Sequence, residues 1–95
     1  MTPTRYTVTS TNAADNELSS LWVNHPAEKA AISLASNQVD ILLRHNAEQQ
    51  GNPAPLPGVP NRRCVVRYPL RVYFVVSEPD RMVQIVSYRW ALSSP

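Results

Sequence analysis

The last third of the chain leaves the backbone little freedom. Three runs, Arg62–Arg67, Leu70–Ser77 and Arg81–Tyr88, are dense in valine, isoleucine, tyrosine and phenylalanine. Such runs favour strands. Only Tyr68-Pro69 and Glu78-Pro79-Asp80 separate them, with proline in favoured turn positions. Turns that short admit only antiparallel neighbours. A meander of this kind has one apolar face to bury, so the segments before it must supply the cover.

Those segments read accordingly. Thr4 to Ser10 alternates and is rich in β-branched residues, which predicts a strand with Tyr6 and Val8 on one face. Asn12 is suited to cap a helix over about 13–24, with Asp15 near its positive end and Ala14, Leu18, Leu21 and Trp22 at helical spacing. Pro26 suits the start of a second helix, and Ile32, Ala35, Val39 and Leu42/Leu43 form its apolar stripe. Gly51 offers a stop after Gln50. Residues 52–60 hold four prolines in nine positions and cannot be helix. They read either as an extended connector into the sheet or as a polyproline ligand. The expected architecture is one α+β domain over 1–95, in the order β-α-α-β-β-β. Two helices pack on one face of an antiparallel sheet, and 91–95 form a tail.

Composition removes several function classes. The single cysteine, Cys64, excludes an intramolecular disulfide. His25, His45 and Cys64 lack paired ligand spacing, so neither a metal nor another cofactor is expected. Two glycines, Gly51 and Gly58, cannot make a glycine-rich phosphate loop. No run approaches the roughly 18 apolar residues of a membrane span, and Met1 to Tyr6 has no apolar leader core. The expectation is a soluble, cytoplasmic chain with no membrane partner. Charge is uneven: residues 1–60 carry three basic groups against five acids, and residues 61–95 carry six arginines against two acids. An anionic partner for the second half follows as an expectation.

Period 2 assigns faces. Leu70, Val72, Phe74 and Val76 should face the helices, leaving Arg71 and Tyr73 open. Burying Cys64 and Val66 leaves Arg63 and Arg67 open; burying Val83 and Ile85 leaves Gln84 and Tyr88 open. Arginines so gathered can grip phosphate, and tyrosines among them can stack on bases. The alternative is an ordinary solvated sheet face.

Several stretches together resemble the RelE/ParE superfamily of toxins, which includes plasmid-stabilisation toxins. Tyr6-Thr-Val-Thr leads into Asp15-Asn-Glu-Leu-Ser-Ser-Leu-Trp22, similar to the family's opening strand and first helix. Ala30-Ala-Ile with Val39-Asp-Ile-Leu-Leu43 resembles the second helix, and Asn61-Arg-Arg the entry into the sheet. Pro69-Leu-Arg-Val-Tyr-Phe-Val-Val76 and Asp80-Arg-Met-Val-Gln-Ile-Val86 resemble the central hairpin.

This resemblance implies a type II toxin, bound and neutralised by a cognate antitoxin through which the complex reaches operator DNA. RelE-like members cut mRNA in the ribosome without a metal; ParE-like members inhibit DNA gyrase and are not enzymes. A degenerate copy that keeps only antitoxin binding or dimerisation is the third reading. Carried over residue by residue, Arg71 matches the arginine used on the phosphate, and Arg89 the late arginine. Tyr88 is the candidate acid/base or stacking group, although the family's usual tyrosine lies further on. Arg62, Arg63, Arg67, Tyr73 and Gln84 are candidate binding residues for nucleic acid or a partner. The open face supplies no convincing general base, since arginine stays protonated.

Overall fold

A computed structural model describes residues 5–45, 47–77 and 79–91. Thr4, Glu78 and the tail beyond Ala91, all parts of expected elements, lie outside the described residues. The element order is β1 (Thr7–Ser10), α1 (Asn12–Asn24), α2 (Lys29–Arg44), β2 (Asn52–Pro53), β3 (Arg62–Arg67), β4 (Leu70–Ser77) and β5 (Met82–Trp90). The strands form one sheet in the order β1-β5-β4-β3-β2. The closing meander is antiparallel, but β1 pairs parallel with β5, so the sheet is mixed. Between β1 and β5 lies most of the chain, including both helices, and that is the crossover a parallel pair requires.

Thr11, not Asn12, caps α1: its Oγ1 accepts from the Ala14 N–H at 3.0 Å, and Asn12 is the first helical residue. A single 3-10 turn at Pro26–Glu28 leads into α2. That helix stops at Arg44, short of the expected Gln50. The cause is competition from β1. His45 turns extended and bridges Arg5, while the Tyr6 N–H donates to the Arg44 carbonyl at 2.9 Å. Residues Ala47–Gln49 then make one more 3-10 turn.

The proline-rich segment does more than connect. Asn52 and Pro53 pair with Cys64 and Arg63, and Leu56 and Val59 exchange backbone hydrogen bonds of 3.1 and 2.8 Å. Pro57 and Gly58 (φ +83°) occupy the proline and positive-φ positions of a type II turn. The segment is therefore an irregular hairpin arm that feeds β3 into the sheet.

The core lies between the helices and one sheet face. Ile32, Ala35, Val39 and Leu43 of α2 and Ala14 of α1 pack with Leu70, Val72, Phe74, Val83 and Ile85. Each large side chain fully buried here contributes about 1.5–3 kcal/mol. Stacked rings of His25 and Trp90, with centroids 3.8 Å apart, tie the end of α1 to the end of β5.

Two features set which side chains reach the other face. The first is the register of β3: Val65 lies opposite Val72, and Val65 is buried. Cross-strand partners share a face, so Arg63 (opposite Phe74) and Arg67 (opposite Leu70) point to the helix side. This corrects the expected parity. Arg62, Cys64 and Val66 occupy the open face instead. The second is a bulge in β5. Tyr73 pairs with Ser87 and Phe74 with Ile85, leaving Val86 as an extra residue. Every later side chain changes face. Ser87 and Arg89 move to the open face, where Arg89 is exposed and Ser87 is covered, while Tyr88 turns its ring to the core and is only 6% exposed. The bulge spares the fold a buried arginine and adds an aromatic to the core.

Candidate functional site

β1 pairs with β5 only as far as Ile85, so the rest of that edge is left for α1. The helix runs alongside it. Glu17 of α1 accepts from the Tyr88 backbone N–H at 3.2 Å, doing for that edge what a strand would have done. Helix and open sheet face then enclose a cleft of 530 Å³. Arg71, Tyr73, Arg89 and Trp90 line it from the sheet, and Glu17, Ser20 and Leu21 from α1.

Arg71 and Arg89 are direct cross-strand partners on the open face. Like charges so placed cost about 0.2–1 kcal/mol in an unliganded sheet, and an anion between them would relieve that. Arg89 is steadied on two sides: its Nε donates to Ser87 Oγ at 3.2 Å, and its Nη2 stands 3.6 Å from Glu17 Oε2. Arg71 is exposed. Tyr73 follows Arg71 on the same face, about 6.6 Å along the strand. The Arg62 guanidinium covers one face of the Tyr73 ring at 4.1 Å and is fixed by an Nε bond of 2.7 Å to the Ala54 carbonyl. A base stacking on that side of Tyr73 would have to displace Arg62.

The other expected residues distribute unevenly. Gln84 lies on the open face opposite Val75, next to the Arg62 end of the sheet and away from the cleft lining. Arg63 does not belong to the cleft. Its Nε and Nη2 donate to the carbonyls of Gln50 and Gly51 at 2.9 and 3.0 Å, so it ties β3 to the end of the α2 segment. Arg67 lies against α2 beside Gln38, Ile41 and Leu42. Tyr88 contributes backbone to the cleft while its ring is buried.

Burial pushes the Tyr88 phenol above its ordinary value; a hydrogen bond with Ser36 pulls it back, and the Asp15 and Asp40 carboxylates push it further up. A phenol that holds its proton more tightly folded than unfolded gives stability below the unfolded value, near ~10, and loses it as pH rises. Denaturant midpoints of the wild type should therefore fall from about pH 9 to about pH 11. In Tyr88→Phe the fall should be shallower, measured against the same variant at neutral pH.

The structure adds Glu17 to the cleft and brings Cys64 and Ser87 beside it. Cys64 stands on the open face opposite Tyr73. Burial raises its thiol above the ordinary value, against the pull of Arg71, a hydrogen bond with Tyr73, and Arg62. Ser87 reaches the site through the bulge. Glu17 reaches it because α1 covers the edge of β5. The face of Cys64 follows from the Val65–Val72 pairing, which is a long-range contact, and nothing local in the sequence points to Glu17. Among the described residues there is no group of three or more His, Cys, Asp or Glu that could hold a metal ion, and no helix is long and apolar enough to cross a membrane.

A second groove, of 630 Å³, lies between α1 and α2 and carries Leu18, Trp22, Val23 and Ile32. Trp22 and Val23 are exposed there, with Lys29 Nζ 4.1 Å over the Trp22 ring.

This arrangement, two helices on a five-stranded mixed sheet, is a fold shared with chains of a RelBE and a ParDE toxin–antitoxin complex. The chain superposes on a chain of the RelBE2 toxin–antitoxin complex of Mycobacterium tuberculosis with a TM-score of 0.73 and 16% identity, covering 90% of this chain and 91% of that one. It superposes on a chain of the chromosomal ParDE toxin–antitoxin system of P. aeruginosa with a TM-score of 0.71 and 18% identity, covering 90% and 96%. No family model and no curated protein matches the sequence.

Proposed function

We propose that the protein is the toxin of a type II toxin–antitoxin module, neutralised by a small antitoxin, and that it arrests growth by acting on mRNA at the ribosome. The observation that carries this reading is the pair of opposed arginines, Arg71 and Arg89, in a cleft that also holds Tyr73. The fold shared with chains from two toxin–antitoxin complexes supports it. So does the apolar groove at Trp22 and Val23, which offers a protein partner a surface away from the cleft.

In RNA cleavage the ribose 2′-oxygen attacks the adjacent phosphorus and the 5′-oxygen leaves, giving a 2′,3′-cyclic phosphate. Negative charge accumulates on the phosphate oxygens in the transition state. Two guanidinium groups aimed there stabilise it. The Tyr73 hydroxyl is the group in the cleft suited to protonate the leaving oxygen.

A second reading is favoured by one observation. The buried Tyr88 is withdrawn from the cleft, and the cleft carboxylate, Glu17, has both oxygens engaged by Tyr88 N–H and Arg89. A free proton acceptor for the 2′-hydroxyl is thus missing among the described residues that line the cleft. That fits a non-enzymatic inhibitor of DNA gyrase.

Induced expression tests both, with and without co-expression of any small reading frame found beside the gene. Growth arrest relieved by the second reading frame, with ribosome-dependent transcript cuts, is the expected result. Arrest with altered DNA supercoiling and no transcript cuts would replace it with the gyrase reading. No arrest at all would overturn the toxin reading.

A further inference from the structure

Glu17 carries a charge that its structural job does not need. Its Oε1 accepts the Tyr88 N–H, closing the sheet edge beyond β1. A glutamine carbonyl would serve that bond equally well. The extra negative charge faces Arg89, whose cross-strand partner is Arg71. At 3.6 Å the Glu17–Arg89 contact is longer than a hydrogen bond, and the Arg89 side chain is 65% exposed against 32% for Glu17. The carboxylate is therefore held in place by the backbone, while the exposed guanidinium it neutralises is held only by its Nε bond of 3.2 Å to Ser87 Oγ and by this longer contact.

We propose that Glu17 is a built-in counterion, which neutralises Arg89 in the empty cleft and competes with an incoming phosphodiester for it. This rests on the reading of the cleft as a nucleic-acid phosphate site. Arg71, with no acid bound to it in the described ion pairs, makes the first contact with the phosphate. Arg89 transfers from Glu17 to the phosphate as it binds. The carboxylate left behind repels the phosphate, so it weakens binding to any isolated strand and restricts occupancy to ligands held by further contacts. Glu17 is on this account a residue that sets the affinity threshold.

The test is binding of a labelled oligouridylate to purified protein across a salt series, for wild type, Glu17→Gln, Glu17→Ala and Arg71→Ala. Glu17→Gln keeps the acceptor for Tyr88 N–H and removes the charge. It should bind about 3–10-fold tighter at low salt, with a log affinity–log salt slope steeper by about 0.7, because in the wild type the carboxylate that Arg89 leaves takes up a counterion and offsets one released from the strand. Glu17→Ala should share the gain in affinity but melt lower, since the Tyr88 N–H loses its partner. A purely structural Glu17 would lower the melting temperature and leave the salt slope unmoved; that result overturns the counterion. If wild type binds through Arg71 and Glu17→Gln is indistinguishable from it, the counterion falls and the phosphate site stands. If neither wild type nor Glu17→Gln binds, both fall together.

Discussion

Arg71→Ala abolishes growth arrest while the protein stays folded: that is the expected outcome of the most informative single substitution. The side chain is exposed and lies on the open face, opposite Arg89. It takes no part in the core. Removing it also removes a like-charge cross-strand pair, so stability should hold or rise slightly. The functional loss should be large. Taking one preorganised cation or donor from a developing anion typically costs about 10²–10³ in rate. Arg71→Lys should lie between, because lysine keeps the charge but loses the planar fork that matches phosphate oxygens. Thermal melts and growth curves on the same three proteins decide the matter. Arrest that persists unchanged in Arg71→Ala would remove the phosphate role from this residue. A lowered melting point accompanying lost arrest would return the effect to folding.

The contrast between Arg71 and Arg63 explains what was legible in the sequence. β4 alternates from Leu70 to Phe74, with Arg71 and Tyr73 between apolar residues, and its faces follow from that pattern although Val75 is apolar too. β3 has no such asymmetry: Cys64, Val65 and Val66 are all acceptable in a core. Parity there is decided by pairing with β4, where Val65 meets Val72, and that is a long-range fact. Local pattern alone therefore puts Arg63 and Arg67 on the open face, whereas the pairing turns them to the helix side. β5 failed differently. Its pattern is regular up to Ile85, but the bulge at Val86 inverts everything beyond it. The inversion has a physical trace, since Ser87-Tyr88-Arg89-Trp90 would otherwise turn Arg89 to the helix side and Tyr88 to the open face. Periodicity puts Arg71 on the open face and the resemblance points to Arg89; that the two stand opposite one another depends on the bulge. The carboxylate facing Arg89 was invisible, because Glu17 reaches it only once α1 has replaced β1 along the edge of β5.

Stability should depend most sharply on the junction where the helical layer hands over to the sheet. Gly51 stands there at φ +70°, a region that costs an L side chain about 1–2 kcal/mol. A Cβ at this position would overlap the Cys64 carbonyl oxygen and lie 2.8 Å from its carbon and 3.3 Å from Val65 Cβ. Those are backbone atoms of a paired strand and a core side chain, and neither can step aside cheaply. Gly51→Ala should therefore cost about 3 kcal/mol or more, the range reserved for steric conflict in a packed region. For a chain of this size each 1 kcal/mol corresponds to about 4–8 °C of melting temperature. Gly58→Ala is the matched comparison: φ is +83°, yet nothing lies within 4 Å of the added methyl. It should lose only the conformational part, about 1 kcal/mol. A similar loss in both variants would mean that the close approach to β3 is not what requires glycine at 51. A much larger loss in Gly51→Ala would identify the contact itself. The consequence would then reach the cleft, because the Gln50 and Gly51 carbonyls that anchor Arg63 would shift with it. Arg63 fixes the register of β3 against the end of the helical layer, and β3 carries Arg62 and Cys64 to Tyr73.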